Sequence, residues 1–273
     1  MTGLPHYEPA YIHSTDQLRG EVRRLGLGIP VNDDVSGLHQ PLVVEERTVP
    51  NRFCSLPIRA MDAASDGSPG RLTQRRSLRV AAGGFGLIWL EGVEVDVTCP
   101  PVEGHLRLTS ANGNAFRAWV ETLRAAGHEA IGAAPVVLLQ LVCSRKLKPA
   151  TDEDLARLRE AFVQCAGLAE AAGFDGVDVV CAHRGLLAEA LVAVDRPGPY
   201  GGSWDGRTRL IREIHEGIRQ AHPGLLRSAR VSGYDAREAP QGFGVDGEDY
   251  RKPSLDEPVA LARLLAETGV SLM

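Results

Sequence analysis

From Leu42 onward the chain alternates short apolar runs with longer stretches of helical period, each pair separated by Gly or Pro. The apolar runs fall at residues 52–58, 86–95, 135–142, 176–182, 226–232 and 270–273. Helical periodicity predicts helices at 71–82, 115–126, 152–172, 205–221 and 255–268. The third is the clearest. Thr151 can cap it, Asp152, Glu153 and Asp154 suit the positive end of its dipole, and Gly173 can take the left-handed stop. Leu155, Leu158, Phe162, Cys165 and Ala169 then recur at three- and four-residue spacing and give one buried face. Runs such as residues 136–141 and 177–180 are apolar without alternation, as strands covered on both faces are. Strand and helix in strict alternation imply a parallel sheet with right-handed crossovers. The dense glycine cluster Gly83-Gly84-Phe85-Gly86 follows a helix and precedes a strand, the wrong side for a dinucleotide fingerprint. A closed barrel is therefore favoured over an open doubly wound sheet.

Composition narrows the class further. The chain has 273 residues, enough for one large domain with a sizeable core. Its net charge is −5 with both signs interspersed; the short basic cluster from Arg71 to Arg79 reads as a solvated helix face, so no nucleic-acid surface is expected. No apolar run reaches the roughly 20 residues that span a bilayer, and the N-terminus lacks a basic stretch followed by an apolar one. Cys54, Cys99, Cys143, Cys165 and Cys181 show no CxxC spacing, which favours a reduced, cytoplasmic protein without a disulfide frame or cysteine-based zinc site. Residues 1–37 form a Pro- and Gly-punctuated N-terminal arm with an amphipathic stretch around residues 16–25, and 38–273 the body.

Particular residues then say more than periodicity. Asn51-Arg52-Phe53 is followed by Pro57, then Asp66-Gly67, then residues 81–89 (AAGGFGLIW) and Glu91. Further on come Leu139-Gln140-Leu141, residues 172–178 (AGFDGVD), residues 200–203 (YGGS), Arg207-Thr208-Arg209, Arg230 with Tyr234-Asp235, and residues 242–246 (GFGVD). In this order the pieces resemble the NADH:flavin oxidoreductase, or Old Yellow Enzyme, family, from about Leu38 to the last residue. The resemblance implies an α/β fold of the (β/α)8 TIM-barrel type with FMN at the carboxyl ends of the strands. It also implies NAD(P)H as co-substrate and hydride delivery through the flavin to an activated alkene or similar small-molecule acceptor. By the same resemblance the backbone at Pro57 and Ile58 approaches the flavin ring. Gln140 hydrogen-bonds the pyrimidine edge, and Arg230 stands where negative charge develops on reduction. Each has a plainer alternative: Gln140 as a strand-to-loop tie, Arg230 as a structural ion pair. Residues 195–203 (DRPGPYGGS) read as a turn entering the next helix.

The sequence departs from the family pattern in three places. Relatives carry a His-x-x-His or His-x-x-Asn pair that grips the substrate, followed by Gly-Tyr; here Val180 holds the first position, His183 the second, and Gly185 stands where the Tyr falls. His183 alone is left as the catalytic candidate. After Gln140, relatives show His-x-Gly-Arg and this chain has Cys143-Ser144-Arg145-Lys146, with a short connection to the next helix. Finally, the last apolar run corresponds to a sixth barrel strand. About six strands are therefore expected, with the last two βα units and the phosphate site they commonly supply missing. An open barrel edge also raises the expectation of self-association. Two readings remain: an FMN-dependent oxidoreductase, or a degenerate relative that no longer binds FMN. A lyase or aldolase barrel is disfavoured, because lysines are scarce (Lys146, Lys148 and Lys252) and none lies inside a predicted strand.

Overall fold

The computed structural model describes residues 11–95, 102–144, 146–148 and 150–273; the first ten residues of the arm, Cys99 and Arg145 lie outside these. The chain divides into two compact units, Met1–Gln40 and Pro41–Met273. In the first, α1 (Thr15–Arg24) is capped by the Ser14 side chain, which accepts from the Gln17 N–H, and a 3-10 turn follows at Ser36–His39. Arg19 bridges Asp16 and Asp33.

The second unit opens with an antiparallel hairpin, β1 (Leu42–Val44) and β2 (Arg47–Val49). Then come β3 (Cys54–Ser55), α2 (Arg71–Ala82), β4 (Leu87–Glu94), α3 (Gly113–Ile131), β5 (Val136–Val142) and α4 (Asp152–Ala171). β6 (Gly176–Cys181), α5 (Leu186–Leu191), α6 (Trp204–Ala221), β7 (Leu226–Val231) and α7 (Asp256–Glu267) complete the order. Among the described residues, five parallel strands form one sheet in the order β3-β4-β5-β6-β7, curled into a half barrel. Sequential neighbours in a parallel sheet, each joined by helix, are what the alternation predicts.

Both sheet faces are covered, which is why the strands read as continuous apolar runs. One face sends Leu90, Leu139, Val177 and Ala229 against Phe116, Leu123, Phe162 and Ile214 of the helices. The other carries Leu87, Val136 and Leu226, the first residues of their strands, and packs them on Val44 and Val49 of the hairpin. The hairpin thus plugs the amino end of the half barrel and leaves the carboxyl end for chemistry. Each such buried aliphatic side chain stabilises the fold by about 1.5–3 kcal/mol. Gly176 makes the closest strand approach possible. A Cβ there would lie 2.4 Å from the Leu226 carbonyl oxygen and 2.8 Å from Leu138 Cδ2.

Local chemistry explains several boundaries. Helix α4 begins with a capping box between Thr151 and Asp154, and Gly173 closes it at φ +88°. The predicted strand at 52–58 shortens to two residues. The Asn51 side chain takes the Phe53 N–H at 3.0 Å, Pro57 has no N–H, and the Ala60 N–H turns to Glu91 at 3.1 Å. The expected sixth strand is a single parallel bridge from Ser228 to Leu272, with the Ala229 N–H on the Leu272 carbonyl and the Ser271 N–H on the Arg227 carbonyl. Five strands and this bridge, among the described residues, agree with the incomplete barrel expected from the sequence. Among the described residues, no helix is long and apolar enough to cross a membrane.

Candidate active site

At the carboxyl end the interior face changes from apolar to polar. Gln140, Asp178 and Ser228 sit side by side in register on β5, β6 and β7. Gln140 Nε2 donates to Asp178 Oδ2 at 2.7 Å, and Ser228 Oγ donates to Asp178 Oδ1 at 2.8 Å. Burial pushes the Asp178 pKa above its ordinary value, while the two hydrogen bonds and the Arg230 charge oppose that shift. With both Asp178 oxygens accepting, the Gln140 NH2 is drawn inward and Oε1 is left as the group offered to the opening above.

That opening is a cleft of about 490 Å³, and Pro57, Gln140, His183 and Arg230 all line it. Four of the five residues singled out from sequence are thus brought together, from points 173 residues apart at the extremes (57 to 230). Pro57 follows β3, Gln140 lies within β5, and Arg230 pairs with Val180 across β6 and β7. His183 occupies the turn after β6, where it and Arg184 both take left-handed backbone, φ +55° and +59°. Non-glycine residues in that region are strained and concentrate at functional turns. Ile58 stands apart. It is 68% exposed and lines a separate, smaller depression with Arg76 and Trp119.

The cleft has further walls that the sequence motifs did not single out: Arg59, Ser144, Lys146 and Arg184. Each lies on a loop just beyond the carboxyl end of a strand, where barrel enzymes place their sites, and that rule was the available signal. Asp178 belonged to a quoted motif but had no assigned role. Val180 is buried against Val142 and Ala182, so the position of the family's first substrate-gripping side chain is an apolar wall. Other motif residues are structural. Tyr200 donates to Glu213 at 3.0 Å, and Ser203 caps α6. Cys54 and Cys165 are free thiols whose burial raises their pKa to about 11 and about 12, which suits neither to nucleophilic chemistry at neutral pH.

Residues 121–244, from within α3 to the loop after β7, match the model of the NADH:flavin oxidoreductase / NADH oxidase family. Over these residues, just under half of its length, the chain is similar to this family. Among similar proteins is an NADPH dehydrogenase of Bacillus licheniformis, 34% identical over 125 residues, covering 45% of this chain and 33% of the relative. A cinnamate reductase of Clostridium sporogenes is 24% identical over 275 residues, covering 88% of this chain and 41% of the relative. The chain spans about a third of the length of the first of these. Solved structures extend the likeness in fold. The old yellow enzyme homologue from Zymomonas mobilis superposes with a TM-score of 0.70 at 17% identity, over 86% of this chain and 72% of that one.

The residues present fit the ring portion of a flavin. One cleft combines an acceptor (Gln140 Oε1), a cation that forms no hydrogen bond or ion pair with a described residue (Arg230) and an apolar edge (Pro57). Its volume lies within the range of small-molecule sites.

Proposed function

We propose that this chain carries the flavin-ring side of an FMN-dependent NAD(P)H oxidoreductase of the Old Yellow Enzyme type, acting on an activated alkene or similar acceptor. The supporting observation is the convergence of Pro57, Gln140, His183 and Arg230 on one cleft at the carboxyl end of the half barrel. When bound, the flavin supplies hydride acceptance from the nicotinamide and hydride donation to the acceptor. Pro57 would flank the ring. Gln140, its amide turned by Asp178, accepts a hydrogen bond from the ring's N–H edge. Arg230 faces the opposite charge that reduction creates; Asp178 beneath it keeps the guanidinium from being an isolated cation. His183, on the same cleft, would hydrogen-bond the acceptor and polarise it.

A second reading, a relative that keeps the scaffold without FMN, is favoured by Val180 and Gly185 at the positions of the family's substrate-binding His and its following Tyr. One experiment separates the two. The purified chain is incubated with FMN, freed of excess, and titrated anaerobically with NADPH and NADH. Retained flavin absorbance that bleaches with either nucleotide supports the oxidoreductase; a colourless protein supports the second reading.

A further inference from the structure

A second cavity, of about 390 Å³, adjoins the ring cleft between the loop after β5, helix α5 and the loop after β7. Lys146 and Arg184 line both cavities, so one bound molecule can span them. Its floor is apolar: Leu147 and Ala188 are buried, and Val192 and Pro240 continue the lining. Around that floor stand charges of both signs. Lys146 is satisfied by Glu189 at 2.9 Å, and Arg196 by Asp152 at 2.6 Å. Lys148, Arg184, Arg237, Asp195 and Asp235 line the same cavity, yet none of these five forms an ion pair among the described residues. The walls that hold them apart are tied down. Asp235 donates its N–H to the Phe243 carbonyl at 3.0 Å and its carboxylate accepts the Phe243 N–H at 3.3 Å, with Phe243 only 2% exposed. Glu189 Oε2 likewise accepts the Leu147 N–H at 2.9 Å. Cations and carboxylates thus face one space without cancelling each other, which leaves both to a ligand.

We infer that this cavity takes the adenosine diphosphate portion of the nicotinamide co-substrate, and that its carboxylates select NADH over NADPH. The inference rests on the oxidoreductase reading for the nicotinamide end, but the cavity itself does not need the flavin. A dinucleotide requires an apolar surface for adenine, cations for the diphosphate and acceptors for the ribose hydroxyls. The floor supplies the first, and Lys148, Arg184 and Arg237 the second. Arg184, on the shared wall, meets the diphosphate where the molecule passes from one cavity to the other. Asp195 and Asp235 line only the far cavity, where the adenosine ribose falls. A carboxylate accepts hydrogen bonds from a ribose diol and repels a phosphate in the same place.

The test is calorimetric titration of the purified chain, without flavin, with ADP-ribose, with its 2′-phosphate and with pyrophosphate. The parent is expected to bind ADP-ribose about tenfold or more tightly than either of the others. The Lys148→Ala/Arg237→Ala pair is expected to lose about tenfold in ADP-ribose affinity with the circular dichroism unchanged. Arg237→Gln alone is expected to give an intermediate loss, which keeps the test decisive if the pair is unstable. Asp195→Ala is expected to narrow the gap between ADP-ribose and its 2′-phosphate without weakening pyrophosphate. Pyrophosphate bound as tightly as ADP-ribose overturns the inference, because the cavity would then be an anion site only. A preference for the 2′-phosphate, or undiminished ADP-ribose binding by both arginine variants, also overturns it. So does displacement of ADP-ribose by FMN but not by riboflavin, since the cavity would then hold the flavin phosphate. A chain that binds no flavin yet binds ADP-ribose as described upholds the cavity while the oxidoreductase reading fails. Bound flavin that bleaches equally with NADH and NADPH, in the parent and the pair alike, upholds that reading and overturns the inference.

Discussion

Gln140 donates its side-chain N–H to Asp178 at 2.7 Å across neighbouring strands, and the acid is only 2% exposed. Asp178 also accepts from Ser228, so its removal strands two buried polar groups at once. Asp178→Ala is expected to destabilise the chain by about 2–4 kcal/mol, at roughly 1–3 kcal/mol for each group left without a partner. Asp178→Asn preserves shape, accepts from Gln140 through its one oxygen and can donate its NH2 to Ser228 Oγ, and is expected to cost far less. Urea denaturation of the three proteins gives the comparison. Near-equal losses for Ala and Asn would show that shape and hydrogen bonding at Asp178 matter little.

The Asp178 carboxyl also sets a pH trend. Its pKa is raised in the folded chain, so between the ordinary carboxylate pKa and the folded value the native state holds more protons than the unfolded one. Stability therefore falls as pH rises through that window. Asp178→Asn removes this contribution, and its stability relative to the parent is expected to improve on going from acid to neutral pH. Unfolding free energies measured at several pH values check the sign; a variant that runs parallel to the parent contradicts it.

Asn51 ties two motif segments into one structural unit. Its Nδ2 donates to the Gly84 carbonyl at 2.8 Å, and its Oδ1 accepts from the Gly86 N–H at 2.9 Å and the Phe53 N–H at 3.0 Å. Gly86 is required by the same contact, because a Cβ there would come within 2.7 Å of the Asn51 side chain. Asn51→Ala is expected to cost about 2–3 kcal/mol, with three hydrogen bonds lost from a buried site. Asn51→Asp keeps both acceptor roles and should retain part of that stability. Chemical denaturation distinguishes them.

These contacts show what the sequence made legible. The period-3.6 stretches located α2, α4 and α6 closely, because each buries one long face and carries a glycine stop or a side-chain cap. The hairpin β1–β2 escaped notice. Its strands are three residues each, and the turn runs through Glu45 at φ +52° rather than a glycine pair. Helix α5 is six residues long, too short for a period to emerge. In the site, Pro57, Gln140, His183 and Arg230 were found through motif order, since local pattern carries no information about what converges across a barrel mouth. Arg59 and Arg184 were invisible for the same reason. An arginine on a loop reads as solvated until the loops beside it are known.

Gly176 tests how tightly the interior layers are set. A methyl group there would lie 2.4 Å from the Leu226 carbonyl oxygen and 2.7 Å from Leu226 Cβ, so β6 and β7 would have to part. The displacement falls two residues before Asp178 on the same strand. Gly176→Ala is expected to cost about 1–3 kcal/mol in stability. It is also expected to weaken flavin binding. A variant with parent-like stability would show that the strands yield more readily than their packing implies.

His215 gives the last prediction. It faces inward from α6 with 0% exposure, and neither ring nitrogen has a hydrogen-bond partner among the described residues. Burial, together with the charge of Arg227, lowers its pKa from 6.5 to about 3. In the unfolded chain the imidazole takes up a proton near pH 6.5; in the folded chain it stays neutral until about pH 3. The unfolded state thus binds more protons across that interval, and stability falls as pH is lowered through it, approaching about 1.4 kcal/mol per pH unit from this one group. His215→Leu cannot titrate and breaks no hydrogen bond. It is expected to match the parent's stability near pH 7 and to exceed it by a widening margin toward pH 4.5. Urea denaturation of both proteins at pH 7, 5.5 and 4.5 reads that margin, and a constant offset across the series would mean that His215 accepts its proton without unfolding.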